Sequence, residues 1–347
     1  MDLNEVRKNA RERLKGTGTC AVYKVCDGHP DRLCQGLKYG DVPGMGGAGS
    51  GMSFHNNFLA LQRIKLRMRD VGPGFEVDPS IDLLGHHLKM PIIGASTSGM
   101  KTSLKGVITD EELSEATVQG CKAAGTISAR GDGVDTIAEN PGLAAIRRAD
   151  GWGMQVYKPV EQGLLLQRIK DAETAGVVAV GVDLDGCGSL NMAKIGYPVY
   201  RKTPEELKEI VASTSLPVLF KGIMELEDAE AVLESGAAAI AVSNHGGRVL
   251  DHTPGVADVL PEIVQLIDGR MLVFADGAVR SGYDAIKLLA LGADITMIGR
   301  PLIRATVGGG AEGVRLHMEF MLSTLKAAMR MTGCPDLASV GPHILSR

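Results

Sequence analysis

Ala238-Ala-Ile-Ala-Val242 runs directly into Ser243-Asn-His-Gly-Gly-Arg248. The first half is a short, uninterrupted apolar run, which reads as a parallel strand buried on both faces. The run stops, and a histidine, two glycines and an arginine follow within four positions. Imidazole is the side chain best suited to moving a proton near neutral pH. The glycines let the backbone turn and approach a ligand closely. A guanidinium offers a planar fork that fits a carboxylate. A strand end carrying these groups points to proton chemistry on a small acid. A surface loop with a solvated arginine is the alternative, and the flanking chain decides between them.

Outward from this stretch the same pattern recurs. Apolar strand candidates are Pro91–Ser96, Gly125–Ala129, Gly151–Tyr157, Val177–Asp183, Pro217–Lys221, Ala238–Ser243, Met271–Asp276 and Asp294–Gly299. Between most of them lie helix-patterned segments, among them Asp110–Ala124, Pro159–Ala175, Thr203–Thr214, Leu226–Ser235 and Gly282–Leu291. Eight strands alternating with helices predict an α/β fold, a (β/α)8 TIM barrel. A doubly wound open sheet is the runner-up. Glu312–Thr332 reads as a long amphipathic helix closing the barrel. Residues 1–90 read as an N-terminal extension, and residues 91–347 as the barrel with its C-terminal helix. In the extension, Asn4–Leu14 and Ser53–Ile64 have helical character, and Ser80–Leu88 reads as a short hairpin or lid at the barrel bottom. Pro43–Gly51 is a glycine-dense loop without the strand-and-helix frame of a nucleotide-binding motif.

Catalytic groups of such barrels gather at the C-terminal strand ends. Here those ends read Ala95-Ser-Thr-Ser98, Ser128-Ala-Arg130, Gln155-Val-Tyr157, Asp183-Leu-Asp185, Lys221-Gly222, Ser243-Asn-His245, Asp276-Gly277 and Gly299-Arg300. Apolar packing would not require so many polar ends. The last two strands commonly hold a phosphate, and Asp276-Gly-Ala-Val-Arg280 with Gly299-Arg300 suits one. Two structural arginines bonded to loop carbonyls are the plainer reading. A lysine ending the apolar strand Pro217-Val-Leu-Phe-Lys221 calls for a negative partner. Together these features point to a phosphorylated cofactor beside a proton-transfer group.

At this point the chain resembles the FMN-dependent 2-hydroxy-acid oxidising enzymes, a family that includes glycolate oxidase and lactate oxidase. Ser243–Arg248, Leu250-Asp251, Pro254, Lys221-Gly222, Asp276–Arg280, Ala290-Leu-Gly-Ala293 and Gly299-Arg-Pro301 carry the resemblance. It implies FMN as cofactor and His245 as the acceptor of the substrate's proton. It implies that Asp183 orients His245, that Arg248 holds the substrate carboxylate and that Tyr157 bonds the substrate. Thr97, Ser128, Gln155, Lys221, Ser243, Gly246, Asp276, Gly277, Arg280, Gly299 and Arg300 would contact the cofactor. It also implies a homo-oligomer, a tetramer or larger. An FMN-barrel isomerase without net redox turnover and a flavin-binding protein that has lost catalysis are the competing functions.

The departures fall on the substrate side. The family's tyrosine pair before Gly47-Ala48 is replaced by Pro43-Gly44. Its second arginine after the strand-4 aspartate is missing, since Leu184-Asp-Gly-Cys-Gly-Ser189 carries none before Arg201. Arg130 and Lys101 are the candidate replacements. A bland ion pair of Arg130 with Asp132 or Asp185 is the alternative.

Composition bounds the rest. In 347 residues, 44% are hydrophobic and 22% charged, as in ordinary globular chains, and a net charge of −4 gives no reason to expect nucleic acid or an anionic membrane surface. No run is long enough to span a bilayer, and the N-terminus lacks a signal-peptide core. The expected partner is a small anionic substrate. Six cysteines in this length do not form a disulfide framework, so a cytoplasmic location is expected. Cys20, Cys26 and Cys34 cluster without the spacing of a paired zinc site. Unconnected thiols are the simpler reading, and no metal is expected.

Overall fold

The computed structural model describes residues 1–14, 47–133, 140–189, 192 and 197–346. Cys20, Cys26, Cys34, Pro43 and Gly44 lie outside the described residues. Eight parallel strands close into a barrel: β1 Ile92–Thr97, β2 Ser128–Gly131, β3 Met154–Tyr157, β4 Ala179–Asp183, β5 Val218–Ile223, β6 Ala239–Val242, β7 Leu272–Ala275 and β8 Ile295–Ile298. Each pairs with its sequence neighbours, and β8 returns to β1. The α/β barrel predicted from the alternation is therefore the fold, with strand ends shifted by at most three residues.

The helices are α1 Leu3–Leu14, α2 Met52–Arg63, α3 Met100–Leu104, α4 Asp110–Ala123, α5 Pro141–Arg148, α6 Gln162–Thr174, α7 Pro204–Ala212, α8 Leu226–Glu234, α9 Val256–Ile267, α10 Gly282–Ala290 and α11 Arg300–Thr332. Several begin where local chemistry tells them to. Thr109 and Glu112 form a reciprocal capping box at α4, and Thr203 and Glu206 form another at α7, where Pro204 occupies the first turn. The C-terminal helix expected at Glu312–Thr332 is the second segment of α11, which begins at Arg300 and is broken by non-helical Gly309 and Gly310.

Strand alternation divides the core in two. Ile93, Ala129, Met154, Val156, Leu219 and Phe274 belong to the cluster inside the barrel. Tyr157, Val180, Val182, Phe220, Ile240 and Val242 belong to the cluster that packs against the surrounding helices. Burying each large side chain in these layers stabilises the fold by roughly 1.5–3 kcal/mol. Ile81–Leu83 pairs antiparallel with His86–Leu88, and Leu83 and Leu88 join the interior cluster. This hairpin closes the bottom of the barrel and leaves the C-terminal strand ends as the open face.

Candidate active site

The loop after β6 is held in an unusual backbone state. His245, Gly246 and Gly247 all have positive φ, at 57°, 61° and 79°. For histidine this conformation is strained, and such strain persists only where the surroundings fix it. Buried Asn244 does so. Its Oδ1 accepts from Gly247 N at 3.1 Å and from Asn57 Nδ2 at 2.8 Å, and its Nδ2 donates to Thr253 Oγ1 at 3.0 Å. Gly247 is required by contact as well as by φ, because a Cβ there would lie 2.4 Å from Phe54 N on α2.

His245 Nδ1 lies 3.0 and 3.1 Å from the two carboxylate oxygens of Asp185. The expected partner, Asp183, is engaged elsewhere. Its Oδ2 accepts from Lys158 Nζ at 2.7 Å, and its Oδ1 lies 3.4 Å from Lys221 Nζ. Strand register explains the second contact, since Asp183 and Lys221 are paired neighbours on β4 and β5. The orienting hydrogen bond assigned to Asp183 is thus made by the carboxylate two residues further on.

These groups set one another's charge. Burial, the largest influence, lowers the pKa of His245, and Asp185 works against it. Burial also opposes ionisation of Asp183 and Lys221. For Asp183, Lys158 and Lys221 prevail and its pKa is lowered; for Lys221, Asp183, Asp185 and Asp276 prevail and its pKa is raised. Lys221 donates to Ser243 Oγ at 3.1 Å, Ser243 donates to Asp276 Oδ2 at 2.8 Å, and Ser243 Oγ also accepts from His245 N.

A cavity opens over these strand ends. Among the residues named from sequence, Thr97, Lys221, His245, Gly246, Arg248, Asp276, Gly277, Arg280, Gly299 and Arg300 line it. Asp183 and Ser243 stand directly behind that wall. Arg280 and Arg300 share an aromatic support, with guanidinium carbons 5.6 and 4.1 Å from the Phe54 ring centre. Arg300 also donates to Gly246 O at 2.8 Å.

Besides Asp183 and Ser243 behind the wall, five expected site residues do not line the cavity. Ser128, Arg130, Gln155 and Tyr157 alternate with Ala129, Met154 and Val156, which occupy the barrel interior, so they face the helices. A Cβ on Gly142 of α5 would meet Arg130 Cβ at 2.7 Å and Gln155 Oε1 at 3.2 Å. Arg130 donates to Thr97 O at 2.6 Å and Thr117 Oγ1 at 3.0 Å, and neither Asp132 nor Asp185 is its partner in these bonds. Burial lowers its pKa to about 10. Tyr157 is buried in the outer apolar layer, and Lys101 is exposed on α3.

Lys158 and Asp132 line the cavity instead. The signal for Lys158 was present: counting by two from Met154 and Val156 brings it inward. Asp132 holds Lys158 N at 2.7 Å and pairs with Arg168 at 3.0 Å. Burial raises its pKa to about 6. Asp183, Asp185 and His245 have ligand atoms within 4.8 Å of one another, a spacing a metal could use. Lys158 and Lys221 already occupy Asp183.

The lining suits a phosphorylated, hydroxylated cofactor. Ser96 Oγ and Asp276 Oδ1 are buried there without a hydrogen-bond partner within the protein, and are available to ligand hydroxyls. Gly299 and Arg300 open α11 at the same cavity, which brings the positive end of the helix dipole to it.

Comparison with known proteins agrees. Residues 44–195 and 189–347 match the family described as FMN-dependent dehydrogenase. Glycolate oxidase 3 of Arabidopsis thaliana is 30% identical over 352 residues, covering 86% of this chain and 92% of that protein. Mouse (Mus musculus) 2-hydroxyacid oxidase 1 is 31% identical, covering 87% and 90%. A crystal structure of a mandelate oxidase variant with 2-hydroxy-phenylacetamide superposes with a TM-score of 0.77 at 26% identity, covering 99% and 97%. Another mandelate oxidase variant, solved with an FMN adduct, gives 0.73 at 28% identity, covering 87% and 92%.

Proposed function

The chain belongs to the FMN-dependent dehydrogenase family, and from that premise we propose that it oxidises a 2-hydroxy acid with His245 as the proton acceptor and Asp185 as its orienting carboxylate. Bound FMN supplies the two-electron acceptor. Arg280, Arg300 and the N-terminus of α11 would hold its phosphate. Ser96 and Asp276 would receive its hydroxyls, and Thr97, Lys221, Gly246, Gly277 and Gly299 would complete the cradle.

The His245–Asp185 contact carries the reading. A neutral imidazole that donates Nδ1–H to Asp185 keeps its lone pair on Nε2. Burial lowers the pKa of the ring, so the neutral form dominates at pH 7. When Nε2 takes the proton from the substrate, Asp185 already sits where the new positive charge forms. Lys158 and Lys221 both lower the pKa of the imidazole, which returns the proton readily. Arg248 would hold the substrate carboxylate from the cavity wall, its Nη2 braced on Ser103 Oγ at 3.3 Å.

Anaerobic mixing of the yellow holoenzyme with a panel of 2-hydroxy acids tests this. The flavin absorbance should bleach, and His245→Ala should bleach at least about 10²-fold more slowly while keeping its FMN. An FMN-barrel isomerase would show no bleaching but would act once the flavin is pre-reduced. A binding protein would show neither. Among the described residues no helix is long and apolar enough to cross a membrane.

A further inference from the structure

We propose that Lys158 is the second cation of the substrate site, and that the preferred substrate is a 2-hydroxy acid carrying a second anionic group. This rests on the 2-hydroxy-acid reading above. Lys158 follows the inward positions of β3, and its side chain is 11% exposed at the cavity wall. Its position is fixed at three points. Asp132 holds its backbone N–H, Asp183 holds its ammonium, and its stem packs on Gly186, where a Cβ would come within 2.9 Å of Lys158 Cδ. An ammonium has three N–H bonds, and one goes to Asp183 Oδ2. The other two are available to a ligand in the cavity that Lys158 lines.

Lys158 and Lys221 share the Asp183 carboxylate, and Lys221 is further balanced by Asp276 at 3.9 Å, so Lys158 is left with half of one carboxylate for its ammonium. Among the described residues the cavity lining holds no tyrosine, and its cations are lysines and arginines. Arg248 and Lys158 are anchored apart. Arg248 leans on Ser103 in α3, after β1, whereas Lys158 leans on Asp183 at the end of β4. Two cations braced on separate walls fit two anionic groups at opposite ends of one molecule better than one shared carboxylate. Desolvated charge-assisted contacts of this kind discriminate strongly.

Two four-carbon pairs test it on the holoenzyme. Malate and 2-hydroxybutyrate compare turnover, and succinate and butyrate compare binding by calorimetry without turnover. Malate should be preferred over 2-hydroxybutyrate by about 10-fold or more in kcat/KM, and succinate should bind more tightly than butyrate by a similar factor. Lys158→Gln should erase both preferences, mainly through KM, with FMN content retained and the melting temperature lowered, because buried Asp183 then keeps Lys221 as its remaining cation. Lys158→Arg should keep part of each preference. If 2-hydroxybutyrate bleaches the flavin as well as malate does, the Lys158 assignment fails and the oxidase reading stands. Equal losses for both acids in Lys158→Gln have the same meaning. If no hydroxy acid bleaches the flavin, the oxidase reading fails and this inference goes with it. Should Lys158→Gln not fold, the wild-type succinate–butyrate comparison still decides, because equal binding overturns the assignment.

Discussion

At the scale of single residues, the site turns on which carboxylate serves which cation. Asp183 is buried between Lys158 and Lys221, and Asp185 is left to His245. The two aspartates should therefore fail differently. Asp185→Asn removes the anion that favours the imidazolium, so the pKa of His245 falls further below its ordinary value of 6.5. The acid limb of kcat/KM should move to lower pH, because the base then stays neutral to lower pH. The plateau should drop on the order of 10²-fold, since the charge formed on proton transfer loses its partner. Asp183→Asn instead removes the carboxylate that Lys158 and Lys221 share, leaving Lys221 to Asp276 at 3.9 Å, which should destabilise the fold by roughly 3–5 kcal/mol. Chemical denaturation and pH–rate profiles of both variants check this. An unmoved acid limb in Asp185→Asn would remove Asp185 from the mechanism.

At the scale of elements, α1 lies on the first segment of α11 through glycine. Val6, Ala10 and Leu14 are the buried residues of α1. A Cβ on Gly308 would come 2.0 Å from Val6 O, a backbone atom that cannot turn aside. Gly308→Ala should push the two helices apart and destabilise the protein by about 1–3 kcal/mol. A lowered melting temperature with bound FMN retained is the expected result, and an unchanged melt would show that α1 contributes little. The capping boxes of α4 and α7 could be read directly from Thr109-x-x-Glu112 and Thr203-x-x-Glu206. The start of α11 could not. Gly308-Gly-Gly310 looks like a loop in sequence, yet Gly308 stays helical and the break is confined to Gly309 and Gly310.

At the scale of the whole molecule, the phosphate end joins distant parts of the chain. Arg280 follows β7, Arg300 follows β8, and both rest on Phe54 from α2, which comes before the barrel in sequence. The double variant Arg280→Ala, Arg300→Ala should purify without yellow colour, because the phosphate loses its charge-assisted partners. A ligand that binds only the folded state raises stability by about 2.7 kcal/mol at a hundredfold excess over Kd. Added FMN should therefore raise the melting temperature of the wild type and leave that of the double variant unmoved. A fully yellow double variant would mean that the phosphate is held elsewhere.

The sequence by itself determined the barrel, the open face and the cofactor end. Strand runs such as Ala238–Val242 and the glycine–arginine ends at Asp276–Arg280 and Gly299-Arg300 are chain-local patterns, and periodicity and backbone freedom act locally. The tertiary structure decided which polar strand ends point into the cavity and which carboxylate each cation receives. Arg130 reads as a site residue because it ends a strand, and Gln155 and Tyr157 because of the family resemblance, but strand parity turns all three toward the helices and brings Lys158 in. The choice between Asp183 and Asp185 was illegible for a stronger reason. It is settled by competition among Lys158, Lys221 and His245, three residues from three strands that meet only once β3, β4, β5 and β6 stand side by side.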